Sequence, residues 1–476
     1  MEFSINREVF TTLLSRASMG AVKRATLPIL TGVNVVARTD KSLSLIGTDL
    51  DTWVIAEGRC IGADGYMSIV IEPKAALAAL KNMREDLLTV SAKVDSLEIE
   101  LICGKTSLKL QALGFGADYP TPPTVSAHGS EAFTLAAHEM HSIIDKVSYC
   151  ASQVDTKSSL GGVLCSRQAM VLATCATDGS RLAALNVDIE TCAKEAEFDA
   201  IVPVQALDTL DRLMSKSKRF VRVTAADFRS NHGDKPQSAR LVTFDTEHGK
   251  LTVRCIDGEY PPYTELFPAE PTGYREFNRE ELASACKQVI AQAGRNQLAA
   301  MVLAGNEAGT VDGTFRMALQ SSCSDSIPVS LDARFVASFL NSTKAKTVRF
   351  EMHDGDKCFL RPVMLKDNES RTQHLLMPCA GVYEHNKKTN KRELKAGWWS
   401  GVAISNSEMP KENKPAAKPA AKPVKAKKTA VVSEPGPQVF RDEDGDLVRK
   451  EGNEWLMQTA SGKWIACHEP SGLVPA

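Results

Sequence analysis

The chain has 476 residues, 43% of them hydrophobic and 24% charged, with a formal net charge of −1. That length and mix suit a soluble globular chain of about three domains. They exclude a protein that grips nucleic acid through overall positive charge, because such binders are basic. Any hold on DNA must use local charge or a means that needs little attraction. The start, MEFSINREVF, lacks a basic-then-apolar signal pattern, and no apolar run reaches the length of a membrane helix. The twelve cysteines include no CxxC pair, so buried, reduced thiols in a cytoplasmic protein are expected.

EFSINREVFTTLLSRAS, from Glu2, predicts a short strand, a polar break and an amphipathic helix. LSLIGTDLDTWVIAEG, from Leu43, predicts strand, tight turn, strand. VIEPKAALAALKNM, from Val70, carries a proline and then Leu77 and Leu80 on one helical face. CGKTS, from Cys103, ends like a phosphate loop. The full motif needs a glycine where Ile99 stands, and SLKLQAL beside it alternates as a strand, so a hairpin turn is expected. ADYPTPP, from Ala117, closes this stretch.

The same order then returns. AFTLAAHEMHSIIDKVS places Phe133 on Phe3, a shift of 130. Its HEMH spaces His138 and His141 three apart, where a zinc protease needs four. MVLATCATDGSRLAALNV places Thr177-Asp178 on Thr48-Asp49, shifted by 129, and IVPVQALDTLDRLM places Leu207 and Leu210 on Leu77 and Leu80. KLTVRCI and GEYPPYTELFP follow. A third set begins with EFNREELASACKQVIAQ at Phe277, and IPVSLDARFVASFLNS supplies Val336 and Phe339. A period this long is no solenoid. Strands with two helices per unit predict an α+β class, three tandem domains at 1–127, 128–272 and 273–380, each with sheets outside and helices on the other face.

Past 380 the texture changes. A Pro/Ala/Lys-rich stretch, PKENKPAAKPAAKPVKAKK, predicts an extended, disordered linker within 381–435. Residues 436–476 predict a small acidic β module of three strands, split by turns at Asp444-Gly445 and Ser461-Gly462, with Trp455 and Trp464 as its core. DEDGDL at 442–447 has its glycine at the fourth position, not the sixth of a calcium loop, and fits an acidic turn. Trp398-Trp399 either marks a contact surface or packs back on the third unit. No Ser-His-Asp or Cys-His arrangement stands out.

The strings RATLPILTGV, LSLIGTDLD, ATDGSRLA, GEYPPYTELFP and HLLMP, in this order and spacing, resemble the bacterial DNA polymerase III beta subunit family, the beta sliding clamps, over about 1–380. The resemblance implies three clamp-type domains per chain and two chains closed head to tail as a homodimer. Sheets form the outer wall and helices line a hole for duplex DNA. It implies a processivity factor with no catalytic site, metal or cofactor, which binds DNA without sequence preference and tethers the replicative polymerase and the clamp loader. A ring would also account for the near-neutral chain, since topological linkage needs little phosphate attraction.

Arg24 matches a DNA-contacting arginine of the family, and Lys74 a basic helix start. Lys81, Lys146, Arg212 and Lys216 join them by helix placement, while Val204 and Gln205 stand where the family often carries basic residues. The family's partner-peptide pocket maps to Leu160, Thr177, Gly179, Arg181, Leu182, Pro261, Leu266, Leu375 and Met377, with Arg181 as a charged rim and Ser180 in place of a larger polar residue. Leu108, Leu110, Val289 and Ile290 match dimer-interface positions. The chain continues about 98 residues beyond Pro378, where the family usually ends; that tail is expected to touch DNA or tether its module to a partner. A monomeric clamp-like adaptor or decoy, and a repeat-built enzyme, remain as alternatives.

Overall fold

The computed structural model describes residues 1–400 apart from 94–95, 123–130, 155–157, 193–197, 216, 218, 231–236, 268–270, 272, 295–296, 324–327, 353–360, 368–369, 380–381, 387–390 and 395–396, and, beyond 400, five strands between 439 and 475. One compact unit spans Met1–Glu412 and a second spans Asn413–Ala476.

Three times a strand runs directly into a helix: Glu2–Asn6 into α1 (Arg7–Ala17), Glu131–Ala136 into α3 (Ala137–Lys146), and Gly273–Asn278 into α5 (Arg279–Gln292). Asn6 and Asn278 each accept two backbone N–H groups of the first turn, which the helix itself leaves without partners. The second helices are α2 (Pro73–Leu80), α4 (Val204–Leu213) and α6 (Ala333–Ser342). Pro73 opens α2 and Pro203 caps α4, but Asp332 caps α6, and Pro328 precedes the strand before it. These six are the α-helices among the described residues.

Each repeat buries its own apolar face. Phe3, Phe10, Leu14 and Leu80 share one core; Phe133, Ile143, Phe198 and Leu210 a second; Phe277, Val336, Phe339 and Phe350 a third. Phe133 meets Phe198 edge to face at 5.0 Å, and Phe277 meets Phe350 at 5.5 Å. Burial of each such side chain contributes about 1.5–3 kcal/mol.

The sheets are not confined to single repeats, because neighbouring repeats share them. The meander of Val33–Ala37, Ser42–Thr48 and Thr52–Arg59 continues by pairing Thr52–Arg59 with Gly249–Arg254, which builds a ten-stranded sheet. The meander of Gly162–Gln168, Val171–Thr177 and Arg181–Asp188 continues by pairing Arg181–Asp188 with Gln373–Leu376, Leu182 opposite Leu375, in a nine-stranded sheet. The third meander, Ala300–Ala304, Glu307–Thr310 and Arg316–Ala318, ends there. The first repeat's terminal strand, Thr106–Gln111, likewise ends a five-stranded sheet. Among the described residues, neither of these two strands has a neighbour on its outer edge. Thr106–Gln111 follows Glu98–Cys103 through a turn at Gly104, φ +58°, so CGKTS is a hairpin turn.

The C-terminal unit holds five antiparallel strands, not three. Their order is Trp464–Cys467, Glu454–Gln458, Leu447–Glu451, Val439–Arg441 and Val474–Pro475. Leu447–Glu451 and Glu454–Gln458 pair antiparallel, with Glu451 opposite Glu454. The side chains of Trp455 and Trp464, the DEDGD turn and the lysine-rich linker lie outside the described residues.

Candidate functional site

The polar knot Thr177–Arg181 is a self-satisfied turn. The Thr177 hydroxyl donates to the Arg181 carbonyl at 2.7 Å and accepts from Gly179 N–H at 3.1 Å. Asp178 Oδ1 accepts from the N–H groups of Ser180 (2.9 Å) and Arg181 (3.0 Å). Gly179 has φ +88°, a left-handed backbone that glycine adopts without strain.

Arg181 gives Nε–H to Asp178 Oδ2 at 2.9 Å, and its side chain is only 14% exposed. Its guanidinium lies 4.5 Å from the Phe335 ring of α6 and 5.5 Å from Tyr149. Arg181 is thus tied to its own turn and to the third repeat, because its long stem reaches two rings that sequence order keeps far away.

Behind this turn Leu182 (3% exposed) and Leu375 pack with Cys175, Ala184 and Met364, flanked by Leu164, Tyr260, Tyr263 and Phe267. Leu266 is 52% exposed and Met377 39% exposed. Pro261 and Gly179 are exposed, Leu160 is half-buried, and Thr177 is buried and spent in the turn. The nine pocket positions thus separate into an apolar floor (Leu182, Leu375), an exposed apolar margin (Pro261, Leu266, Met377), Leu160 half-buried, and a turn that holds Arg181. Sequence reading missed Cys175, Met364, Tyr260, Tyr263 and Phe267, although the aromatic spacing of GEYPPYTELF pointed toward a wall.

Burial pushes the Cys175 thiol and the Tyr260 hydroxyl well above their ordinary pKa values, so the floor stays neutral and supplies no thiolate nucleophile. Beneath it Tyr149 Oη and His374 Nδ1 share a 2.9 Å hydrogen bond, and the Phe339 ring meets the imidazole at 4.9 Å. Burial lowers the His374 pKa to about 3, which leaves a neutral ring that docks the second repeat on the third. This arrangement can hold an apolar side chain; it offers no acid–base pair.

Arg24 sits exposed in the loop before Pro28, and Lys74 and Lys81 are exposed at the two ends of α2. Arg212 is exposed on α4 and gives hydrogen bonds to the Asp208 carbonyl and the Thr209 hydroxyl. Lys146 is half-buried at the end of α3, and Lys216 lies outside the described residues. α3 and α4 also carry Glu139, Asp145, Asp208 and Asp211, with His141 Nδ1 2.7 Å from Asp211 Oδ1. The helices of the second repeat hold more carboxylates than cations, and Val204 and Gln205 add no charge.

Leu108 and Leu110 alternate with exposed Ser107 and Lys109 along the free edge strand and pack against the first core. Val289, at 2% exposed, belongs to the third core, where the helical spacing of Leu282, Cys286 and Val289 places it, and Ile290 packs alongside. The edge that sequence reading missed is Arg316–Ala318. Trp398 and Trp399 pack back on the third repeat, Trp399 against Val302, Ala304 and Val382.

Two family models match the chain: the DNA polymerase III beta subunit N-terminal domain over residues 1–123 and its central domain over residues 134–262, together just over half of it. The Pseudomonas aeruginosa beta sliding clamp is 26% identical over 287 residues, 60% of this chain and 73% of that one. The Bacillus subtilis beta sliding clamp is 23% identical over 308 residues, 63% and 76%. Among solved structures, the beta subunit of Streptococcus pyogenes DNA polymerase superposes with a TM-score of 0.70 at 18% identity, covering 80% of this chain and 100% of that one. The Bacillus subtilis sliding clamp gives 0.69 at 18% identity, covering 80% and 99%. The chain belongs to the bacterial DNA polymerase III beta subunit family, the beta sliding clamps.

Proposed function

We propose that this chain is a DNA sliding clamp with clamp domains at 1–127, 128–272 and 273–380. Two copies close head to tail around duplex DNA, and the junction of the second and third repeats docks the replicative polymerase, the clamp loader and other factors. One observation carries the reading. At two places the last strand of a meander pairs with the terminal strand of the next repeat, Thr52–Arg59 with Gly249–Arg254 and Arg181–Asp188 with Gln373–Leu376. The two strands in the same roles that are left over, Arg316–Ala318 and Thr106–Gln111, are both open among the described residues. Joined between copies, they repeat the same junction; a head-to-tail contact of this kind closes into a ring when its rotation allows. Pairing also removes edges that would otherwise invite aggregation.

Arg24, Lys74, Lys81, Lys146 and Arg212 are the proposed phosphate contacts, few enough to let DNA slide. The apolar floor with its exposed Leu266 and Met377 suits a short peptide led by apolar side chains. Leu108 and Leu110 belong to the proposed closing edge. The clamp carries no chemistry itself and works in the cytoplasm. Among the described residues no helix is long and apolar enough to cross a membrane.

Retention on DNA tests the ring. Loaded clamp should persist on a nicked circle and leave within minutes once the circle is cut. Equal loss from both forms contradicts the topological hold and returns the chain to a monomeric adaptor.

A further inference from the structure

Each repeat covers the outer face of its meander with the segment after its last strand. In the first, the Tyr119 hydroxyl donates to the Gly32 carbonyl at 3.0 Å and accepts from Thr48 N–H at 3.1 Å. In the second, Tyr260, Tyr263 and Phe267 lie on Cys175, Leu182 and Ala184. In the third, the cover comes from the stretch past Pro378. Cys379 N–H donates to the Ser330 carbonyl at 2.8 Å, and Val382 and Trp399 bury Val302 and Ala304.

Trp398 reaches beyond this cover onto the hairpin of Glu307–Thr310 and Arg316–Ala318. Its Nε1–H donates to the Thr310 carbonyl at 2.8 Å, and its ring lies 4.7 Å from the Arg316 guanidinium. Arg316 in turn gives Nε–H to Glu307 Oε2 at 3.0 Å. The hairpin is shaped for the indole: a Cβ at Gly309 would stand 2.8 Å from Trp398 Cζ2, and one at Gly313 would stand 3.2 Å from Cδ1. Gly313 also needs its left-handed φ of +77°.

The strand under the indole is the open edge, and it is short. Thr52–Arg59 and Arg181–Asp188, which fill the same role at the internal junctions, have eight residues each, whereas Arg316–Ala318 has three. A three-residue edge strand frays readily and must be ordered before it can pair. We infer that Trp398 braces this edge for self-association: it preorganises Arg316–Ala318 to receive Thr106–Gln111 of a second copy. The hydrogen bond to Thr310 and the stack on Arg316 supply the order that strand length supplies elsewhere. The inference rests on the ring reading and adds to it a residue that belongs to the tail.

The test uses the full chain, with self-association followed by sedimentation over a dilution series and folding by thermal melting. Trp398→Ala should raise the dimer Kd about tenfold, the scale of one lost aromatic contact plus one hydrogen bond. Trp398→Phe keeps the ring over Gly309 and Gly313 and loses only the N–H bond; about threefold is expected. Trp399→Phe, which leaves the contacts of Trp398 with Thr310 and Arg316 in place, should leave Kd unchanged. If Trp398→Ala melts the third repeat, Trp398→Phe carries the comparison. A Kd equal to that of the unaltered chain in Trp398→Phe and in any folded Trp398→Ala overturns the inference and leaves the ring standing. A full chain that stays monomeric at every concentration overturns both.

Discussion

The turn Thr48–Thr52 and the turn Thr177–Arg181 are built alike. Leu50 N–H donates to Thr48 Oγ1 at 2.9 Å, as Gly179 N–H does to Thr177 Oγ1 at 3.1 Å. Asp49 Oδ1 accepts from Asp51 and Thr52, as Asp178 Oδ1 does from Ser180 and Arg181. Both bend through a left-handed residue, Leu50 at φ +81° and Gly179 at φ +88°. Each stands where one repeat's sheet passes into the next. The turn is therefore scaffold, and specialisation lies in what is hung on it. At the first junction that is an exposed leucine held in a strained conformation. At the second it is an arginine stacked on two rings beside a neutral apolar floor.

The largest way to break this comparison is through the floor. Leu375→Ala should destabilise the second–third junction by about 2–4 kcal/mol, since a buried leucine leaves a cavity. Denaturant melts should show the loss, and partner-peptide binding should fall with it.

Acid comes next. His374 is neutral in the fold with a pKa of about 3 against an ordinary 6.5, so between those values the unfolded chain binds the extra proton. Stability should therefore fall as pH drops below about 6.5, by up to ~1.4 kcal/mol per unit in this window. His374→Gln should flatten that slope; an unchanged slope would assign the acid sensitivity elsewhere.

Arg181→Ala removes the two ring contacts and the Nε–H bond to Asp178 Oδ2. A loss of about 1–2 kcal/mol in the melt is expected, with self-association unaffected. The smallest effects sharpen the likeness of the turns. Leu50→Gly should stabilise by about 0.5–1 kcal/mol, and Gly179→Leu should destabilise by about 1 kcal/mol, because both positions need positive φ. Equal and opposite shifts in melting would show the two turns to be interchangeable.

Much of the fold was legible because its signals are local. Phe3, Phe133 and Phe277 each announce a strand that enters a helix, and Leu80, Leu210 and Phe339 mark the same buried face at helical spacing. What was not legible is long-range. No local pattern tells that Leu182 will lie opposite Leu375, or that sheets pass between repeats. Leu182 and Leu266 read alike in sequence, yet one is floor and the other is exposed. Arg181 looked like a free charge because Phe335 and Tyr149 reach it only through the fold.

The central claim is that the two open strands find each other in a closed pair. Sedimentation equilibrium of the full chain across a wide dilution series tests it most directly. The account predicts one associated species of twice the chain mass. A monomer at all concentrations, or an open-ended series of higher multiples from the same head-to-tail contact, would contradict it.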